Sequence, residues 1–223
     1  MIEATYIDHM GSDLSVVNSA RVSFGKTSEM DMSDPWGPPK LKDKDAKLIK
    51  YLAKHKHTSP FGHAFASFHI KAPVFVARQL VKHKFLRWNE VSRRYVNEPP
   101  EFYVPDWREV AENKKQGSGG VMNSNARKPV ENKYEQLTKG AARTYRRMLE
   151  LGVCEEQARM VLPQSMMTEW YWSGSLDAFA DMCNLRCKPD TQYETRLVAQ
   201  QIDRKMIELF PVSWDALTEN DDE

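Results

Sequence analysis

The stretch HTSPFGHAFASFHIKAPVFVARQLVKHK, residues 57–84, carries the strongest fold signal in this chain. From Ala64 onward every second side chain is alanine, phenylalanine or isoleucine, and the residues between them, up to Lys71, are mixed. This period of two predicts a strand with one buried face. Pro73 follows, and a proline suits the first turn of a helix, which the residues up to 84 continue. The stretch therefore predicts a strand that leads directly into a helix.

The sequence on both sides of this stretch predicts further strands and helices. Residues 2–8 alternate like a strand, and residues 42–55 place their apolar side chains on one helical stripe. The other predicted helices are 12–23, 131–152, 154–162, 176–187 and 191–210, and the other predicted strand is 164–174. Residues 111–130 are polar and rich in Gly, Ser and Asn, which predicts a mobile surface loop. The predicted fold class is therefore α+β, in a single domain that covers residues 1–223.

Composition and charge describe an ordinary globular protein with no overall attraction for nucleic acid. The 223 residues are 41% hydrophobic and 28% charged, and the net charge is +1. No apolar run approaches the roughly 20 residues that span a bilayer, and the N-terminus lacks the pattern of a signal peptide. The three cysteines, Cys154, Cys183 and Cys187, are odd in number and have no pair of histidines nearby. This pattern predicts free thiols in the cytoplasm and no metal site.

A second stretch, KHKFLRWNEVSRRY at residues 82–95, concentrates positive charge in this nearly neutral chain. Its one acid, Glu90, is surrounded by Lys82, His83, Lys84, Arg87, Arg93 and Arg94. If the helix places Gln79 beside Lys82, and residues 91–96 return in extended form, these cations converge on one concavity. Arginine forks, hydroxyls and amides match phosphate, so the pattern favours a ligand that carries a phosphate.

Two other interpretations of this stretch stay open on spacing alone. A run of charges is often a solvated face, but Phe85, Leu86, Trp88 and Val91 interrupt this one, which predicts partial burial. A nucleic-acid surface is the other alternative, and the balanced net charge weighs against it.

The basic stretch resembles the signature of the flavin-dependent thymidylate synthases, the thymidylate synthase complementing protein family. In that signature Arg-His-Arg is followed at fixed spacing by Ser, Asn, Ser and Arg. The positions that match are His83, Asn89, Ser92 and Arg94, while Lys82 and Lys84 keep only the charge of the two flanking arginines. Further blocks resemble the family in the right order, namely residues 18–26, 57–80, 158–175 and 184–196.

The resemblance implies a fold, an assembly and a reaction. The implied fold is the flavin-dependent thymidylate synthase fold, with a mixed sheet and long helices, assembled as a homotetramer whose active sites are shared between subunits. The implied reaction is the reductive methylation of dUMP to dTMP, with carbon from 5,10-methylenetetrahydrofolate and a hydride from NADPH through FAD. In such enzymes the flavin performs the redox chemistry, and the protein binds the reactants and stabilises charge electrostatically. None of the cysteines lies in a motif that suggests the nucleophile of the classical thymidylate synthases.

The resemblance also assigns roles to individual residues. Arg186 is the expected catalytic residue, because a cation beside the uracil ring stabilises negative charge when C5 becomes nucleophilic. The expected dUMP site consists of Gln79, Lys82, Glu90, Ser92, Arg93, Arg94, Arg159 and Arg186. The expected FAD site consists of Ser59, Lys82, His83, Lys84, Phe85, Glu90, Ser175 and Asp181. His57 is a candidate contact of the flavin or the folate.

Several positions depart from the family pattern and leave alternatives open. Arg87 stands where the signature has Ser. The other departures are Gly62, Ser175, Asp177 and Asp181, where the family usually has Glu, Asn, Arg and Asn. An Asp at 177 reverses a charge near the FAD pyrophosphate, and Arg87 is a candidate for the compensating cation. One alternative is a one-carbon transfer with another product, such as a 5-hydroxymethyl nucleotide. The other is a non-catalytic relative that binds a nucleotide or RNA.

Overall fold

A four-stranded sheet lies at the centre of the fold. The computed structural model describes residues 1–96, 98–112 and 117–218. The strands are β1 (Glu3–Met10), β2 (Phe65–Pro73), β3 (Leu86–Glu90) and β4 (Met167–Ser175), in the spatial order β1-β2-β4-β3. The helices are α1 (Asp13–Arg21), α2 (Asp43–Lys54), α3 (Val74–Leu80), α4 (Ser124–Glu150), α5 (Glu155–Ala158), α6 (Leu176–Arg186), α7 (Tyr193–Leu209) and α8 (Pro211–Thr218). Short 3-10 turns cover Val22–Phe24, Ser59–His63 and Arg159–Val161.

Strand β2 confirms the alternation that the sequence predicts. Ala66, Phe68 and Ile70 are buried, whereas Ser67 and His69 between them are partly exposed. All three strand pairings are antiparallel, so the α+β class is confirmed, but the sheet is not the mixed one that the resemblance implied. The alternating burial agrees with this pairing, because an antiparallel sheet can leave one face in contact with water, whereas a parallel sheet is covered on both.

The core lies between the sheet and the C-terminal helices. The ring of Phe179, in α6, lies 5.4 Å from that of Phe68 and 5.5 Å from that of Trp172. Helix α7 packs against β1, β2, α3 and α6. Buried aromatic side chains each remove about 150–250 Å² from water, so they dominate the stability of such a core. The packing fixes the position of α6, which ends at Arg186.

Helix α3 is shorter than the sequence predicts. It covers Val74–Leu80 rather than residues 73–84, so Lys82 lies in the turn that follows. Phe85 takes the left-handed region with φ of +64°, and β3 begins at the next residue. The pairing of β3 with β4 overrides the helix propensity of these residues, because tertiary contacts outweigh weak local preferences. Residues 93–95 form a turn rather than the predicted extended return.

Helix α4 begins earlier than the sequence predicts. It starts at Ser124, where the side chain of Asn123 accepts a hydrogen bond from the backbone N–H of Ala126 at 2.9 Å. An asparagine cap satisfies one of the free N–H groups at a helix start. The prediction of a loop over residues 111–130 is therefore wrong for residues 124–130. The segment is so polar that the capping role of Asn123 could not be distinguished in the sequence. Residues 113–116 of that loop lie outside the described residues.

A buried carboxylate joins α1 to α2. Asp45 is fully buried and accepts hydrogen bonds from the guanidinium of Arg21 and from the hydroxyl of Ser28. Burial alone would raise the pKa of Asp45, but the hydrogen bonds from Ser28 and Arg21 outweigh it and hold this pKa below its usual value. The side chain of Asn18 bonds the backbone of Ser28 as well, so the turn between the two helices is held from both sides.

We expect the Asp45→Asn substitution to lower the free energy of unfolding by about 2 kcal/mol at pH 7, since a charge-assisted hydrogen bond contributes about 1.5–3 kcal/mol. Because folding lowers the pKa of Asp45, its carboxylate stabilises the wild-type fold at pH values above the unfolded pKa of about 3.9. This stabilisation is lost as the pH falls below that value. Urea unfolding at pH 7 and at pH 3.5 measures both effects. Asp43→Asn, in the exposed first turn of the same helix, is the matched control. Equal losses in the two variants would contradict the prediction.

The cysteines and the helices add three further observations. Cys154, Cys183 and Cys187 are free thiols. Within the part of the chain that the structure describes, no group of three or more His, Cys, Asp or Glu side chains could hold a metal ion. None of the described helices is long and apolar enough to cross a membrane.

Candidate active site

The basic stretch 82–95 is anchored to the sheet by a tryptophan. Trp88, in β3, stacks on Trp170 with 4.3 Å between ring centroids, and meets Trp172 edge-on at 5.8 Å. Such aromatic pairs contribute about 0.5–1.5 kcal/mol each beyond their burial. In the same strand pair, Gly174 lies opposite Leu86 and leaves room for its side chain, since a Cβ on the glycine would lie 2.4 Å from it. Phe85, which immediately precedes this strand, is 83% exposed.

Arg186, the expected catalytic residue, contacts the basic stretch through a histidine. Its Nε donates a hydrogen bond to Nε2 of His83 at 2.9 Å, and both side chains are partly buried. Burial, with the nearby guanidinium as a smaller cause, lowers the pKa of His83 to about 4, so the imidazole is neutral at pH 7. Burial also lowers the pKa of Arg186, but a guanidinium starts from so high a value that it stays charged.

A cavity of about 870 Å³ opens beside Arg186, and Gln79 lines it as well. The structure thus brings these two predicted residues together. Four polar atoms of the lining residues are buried and have no hydrogen-bond partner among the described residues, namely Gln79 Oε1, Trp107 Nε1, Arg108 Nε and Ser165 Oγ. A buried polar atom without a partner costs roughly 1–3 kcal/mol. A polar ligand that bonds to these atoms would remove that cost.

The far wall of this cavity was missed by sequence reasoning. The guanidinium of Arg108 lies 3.4 Å from the ring centroid of Tyr193. Tyr103 also lines the cavity, and burial, followed by the carboxylates of Glu194 and Asp106, raises the pKa of Tyr103 to about 12. Its hydroxyl therefore stays protonated at neutral pH. Residues 103–108 and residues 193–194 are far apart in the chain, so no local pattern could have grouped them.

A second cavity, of about 330 Å³, brings together three residues of the predicted nucleotide site: Glu90, Arg93 and Arg159. Glu90 is held in place because its Oε1 accepts from the hydroxyl of Thr168 at 2.7 Å and its Oε2 from the indole of Trp88 at 3.2 Å. Two arginines against one acid leave an excess of positive charge. The lining therefore suits an anionic group.

Ser92 and Arg94 form a small polar cluster in the turn after β3. The hydroxyl of Ser92 accepts hydrogen bonds from the backbone N–H and from Nε of Arg94, each at 3.3 Å. A terminal nitrogen of Arg94 lies 3.8 Å from a carboxylate oxygen of Glu156. Exposed ion pairs of this kind contribute only about 0–1 kcal/mol, so a bound phosphate could replace this one at little cost.

The cations of the basic stretch do not all line either of these two cavities within the described part of the chain. Lys82, Lys84 and Arg87 are exposed and line neither of the two cavities, whereas Arg93 lines the smaller one. Neither of these two cavities is therefore the single concavity that was predicted. Helix α3 ends before Lys82, and successive side chains of a strand such as β3 point to opposite faces.

The remaining residues of the expected flavin site lie mainly around the start of α6. Ser175 is buried at the N-cap position of α6, and the 3-10 turn that begins with Ser59 packs against this helix. Burial, followed by the charge of Asp177, raises the pKa of Asp181. Oδ1 of Asp177 is buried without a hydrogen-bond partner among the described residues. His57 is exposed and precedes the 3-10 turn by two residues.

Fold and site together define an α+β protein in which a histidine holds an arginine beside an aromatic-walled cavity. The chain belongs to the thymidylate synthase complementing protein family, whose model matches residues 5–212. This match confirms the resemblance that the sequence motifs indicated.

Several similar proteins are flavin-dependent thymidylate synthases. One from Thermus thermophilus is 40% identical over 215 residues, which cover 96% of this chain and 74% of the relative. The one from Kosmotoga olearia is 36% identical over 211 residues, which cover 94% and 87%. Among solved structures, the UMP/dUMP methylase PolB from Streptomyces cacaoi bound with 5-Br dUMP matches with a TM-score of 0.83, at 31% identity over 98% of this chain and 95% of PolB. PolB bound with 5-Br UMP matches with the same TM-score.

Proposed function

We propose that this chain is a flavin-dependent thymidylate synthase. It converts dUMP to dTMP with the methylene carbon of 5,10-methylenetetrahydrofolate and a hydride from NADPH that passes through FAD. The observation that carries the proposal is the guanidinium of Arg186, held by His83 at the cavity that Gln79 also lines. Family membership and the names of the relatives support the same reaction. The free thiols fit a reducing cytoplasm, the location that we also propose.

The larger cavity is the place that we propose for the uracil ring. Uracil presents two carbonyl acceptors with an N–H donor between them. The cavity offers Arg186 and Arg108 as donors and Oε1 of Gln79 as an acceptor. A fixed positive charge beside a ring carbonyl stabilises negative charge on the uracil ring, and a ring that carries negative charge is more nucleophilic at C5. The role of Arg186 is therefore electrostatic, and no side-chain nucleophile is needed.

The smaller cavity supplies cations that match the 5′-phosphate. Arg93 and Arg159 line it, and arginine forks bind phosphate with two parallel hydrogen bonds. Because the two cavities have different lining residues in one chain, we propose that a second subunit brings the phosphate-binding residues to the uracil cavity. A homotetramer with shared active sites has this arrangement. Phe85, in the basic stretch, and Met160, at the smaller cavity, are exposed apolar side chains that a second subunit would bury at such an interface.

In the expected FAD site, the residues of the basic stretch fit the cofactor well, whereas those of α6 fit it less well. Lys82 and Lys84 are exposed cations next to the exposed aromatic ring of Phe85. The cations suit the pyrophosphate of FAD, and the aromatic ring suits its planar rings. Asp177, in the first turn of α6, and Asp181, one turn further along, are carboxylates instead, and carboxylates oppose an anionic ligand. We propose that Lys82, Lys84 and Arg87 hold the pyrophosphate. When bound, FAD supplies the redox chemistry and the hydride.

We expect the Arg87→Ser substitution to raise the dissociation constant for FAD about tenfold, since one charge-assisted hydrogen bond contributes about 1.5–3 kcal/mol. Arg87 is exposed on β3, so the fold should tolerate the change. Titration of the apoprotein with FAD, followed by flavin fluorescence, measures the effect. Arg143→Ser, at an exposed position of α4, is the matched control. An unchanged dissociation constant would reject the compensating role of Arg87.

A second candidate substrate is UMP. The specific observation in its favour is the close structural match to a methylase named for both UMP and dUMP. If UMP is accepted, the site tolerates a 2′-hydroxyl on the ribose. Comparing kcat/KM for the two nucleotides separates a deoxynucleotide enzyme from one that takes both.

The proposed function is tested by assembling the reaction from its parts. The protein is incubated with FAD, NADPH, methylenetetrahydrofolate and dUMP, and each component is omitted in turn. We expect dTMP only in the complete mixture. A 5-hydroxymethyl product would favour the alternative of a one-carbon transfer with a product other than dTMP. Failure to bind flavin at all, together with RNA affinity that falls steeply with salt, would favour the binding-protein alternative.

A further inference from the structure

The bond between Arg186 and His83 joins two distant parts of the chain. The residues are 103 positions apart, and Nε of the arginine donates to Nε2 of the imidazole at 2.9 Å. His83 is itself fixed, because its backbone N–H bonds the carbonyl of Leu80 at 3.1 Å at the end of α3. Arg186 is the last residue of α6, which packs in the core. Two anchored elements thus meet at this one hydrogen bond.

The direction of the bond determines the state of the imidazole. A guanidinium nitrogen can only donate, so Nε2 of His83 must be the acceptor and carry no proton. The remaining proton of the neutral ring is then on Nδ1. The lowered pKa of His83 is consistent with this neutral form. Among the described residues, no hydrogen bond or ion pair is made by the two terminal nitrogens of Arg186, which lines the large cavity.

We propose that His83 is a positioning residue for Arg186: it fixes the guanidinium through Nε and leaves the terminal N–H groups directed at the substrate. This inference rests on the proposed function, and it gives His83 a role distinct from the flavin contact that the family resemblance implies.

The choice of a neutral acceptor has a chemical reason. A carboxylate at position 83 would also orient Arg186, but it would form an ion pair and offset the positive charge that the reaction needs. An imidazole orients the guanidinium and leaves its charge available for the uracil carbonyl. The two functions of the histidine, acceptor and neutral group, can therefore be separated by substitution.

Three variants of His83 separate its function as a hydrogen-bond acceptor from its function as a neutral group. His83→Ala removes the acceptor, His83→Gln keeps a neutral acceptor, and His83→Glu keeps an acceptor but adds a negative charge. Measured at saturating FAD, we expect kcat for dTMP formation to fall roughly 10- to 100-fold in His83→Ala and His83→Glu, because a small misplacement of a catalytic group or a loss of its charge is that costly. In His83→Gln we expect a fall of about threefold or less, since orientation and charge are both kept. His55→Gln, at an exposed histidine, is the matched control.

Two results would overturn the proposal. One is full recovery of kcat in His83→Ala once FAD is saturating, which would make His83 a flavin contact only. The other is an equal loss in the Ala and Gln variants, which would mean that a neutral acceptor does not matter. FAD affinity is measured for every variant, so that a weakened cofactor site is not mistaken for a misplaced arginine.

A spectroscopic measurement tests the bond without any turnover. The chain has six histidines, so imidazole ¹⁵N resonances of the labelled protein can be assigned by comparison with His83→Gln. At pH 7 we expect His83 to show an unprotonated Nε2 and a protonated Nδ1, and we expect this signal to shift in Arg186→Ala. A protonated Nε2 would overturn the proposal. If the wild-type protein makes no dTMP, the proposed function fails, and the spectrum together with the dUMP affinity of His83→Ala still decides the positioning role.

Discussion

Replacing Arg186 with alanine is expected to lower kcat for dTMP formation about 100- to 1,000-fold, the usual cost of removing one group that stabilises developing negative charge. The guanidinium lies at the wall of the large cavity that Gln79 also lines, and a neutral imidazole orients it. Without it, electron density on the uracil carbonyl loses its stabilising charge. Single-turnover measurement of dTMP at saturating FAD gives the rate directly.

Two companion variants make the Arg186 prediction specific. Arg186→Lys keeps the charge but loses the planar fork and the Nε donor, so we expect an intermediate loss. Arg204→Ala removes an exposed arginine from α7 and should leave the rate unchanged. A rate for Arg186→Ala within threefold of the wild type would reject the electrostatic role, whatever the affinity for dUMP.

Replacing Trp172 with alanine is expected to lower the free energy of unfolding by about 3–5 kcal/mol, the usual cost of deleting a large buried aromatic side chain. Trp172 is 1% exposed and packs edge-on against Trp88 and Phe179, so it joins the sheet, the basic stretch and α6. Its removal leaves a cavity at that junction. Urea unfolding followed by circular dichroism measures the loss.

The neighbouring residue provides the control for Trp172. Tyr171 precedes it in the same strand, points to the other face and is 52% exposed. We expect Tyr171→Ala to cost less than about 1 kcal/mol, as exposed substitutions usually do. If both variants lose the same stability, the assignment of the buried face of β4 is wrong.

Strands β1, β2 and β4 could be predicted from sequence because their signal is local, whereas β3 was not predicted. Alternation in β2 and β4 reports which face is buried, and it needs no knowledge of the partner strand. The end of α3 could not be predicted in the same way. Residues 81–84 favour helix by propensity, and only the pairing of β3 with β4 brings the chain out of the helix after Leu80. The start of α4 was missed because a single cap, Asn123, decides it.

The candidate site was predicted only in part, since its contacts are not local. Arg186 was named through the family resemblance, whereas its bond to His83 spans 103 residues and follows only from the packed fold. The stacking of Arg108 on Tyr193 is equally remote in sequence and was missed. The predicted convergence of cations assumed a longer helix than α3, and neither of the two cavities collects all of these cations. Charge composition indicated an anionic ligand, but the geometry of the cavities required the structure.

The measurement that tests the central claim most directly is the mass of the nucleotide product. The protein is incubated with FAD, NADPH, dUMP and methylenetetrahydrofolate labelled with ¹³C at the methylene carbon, and the nucleotides are analysed by mass spectrometry. We predict dTMP that carries the labelled carbon in its methyl group, formed by the wild type and strongly reduced in Arg186→Ala. Oxidation of NADPH without a labelled nucleotide, or a labelled nucleotide formed equally fast by Arg186→Ala, would contradict this account.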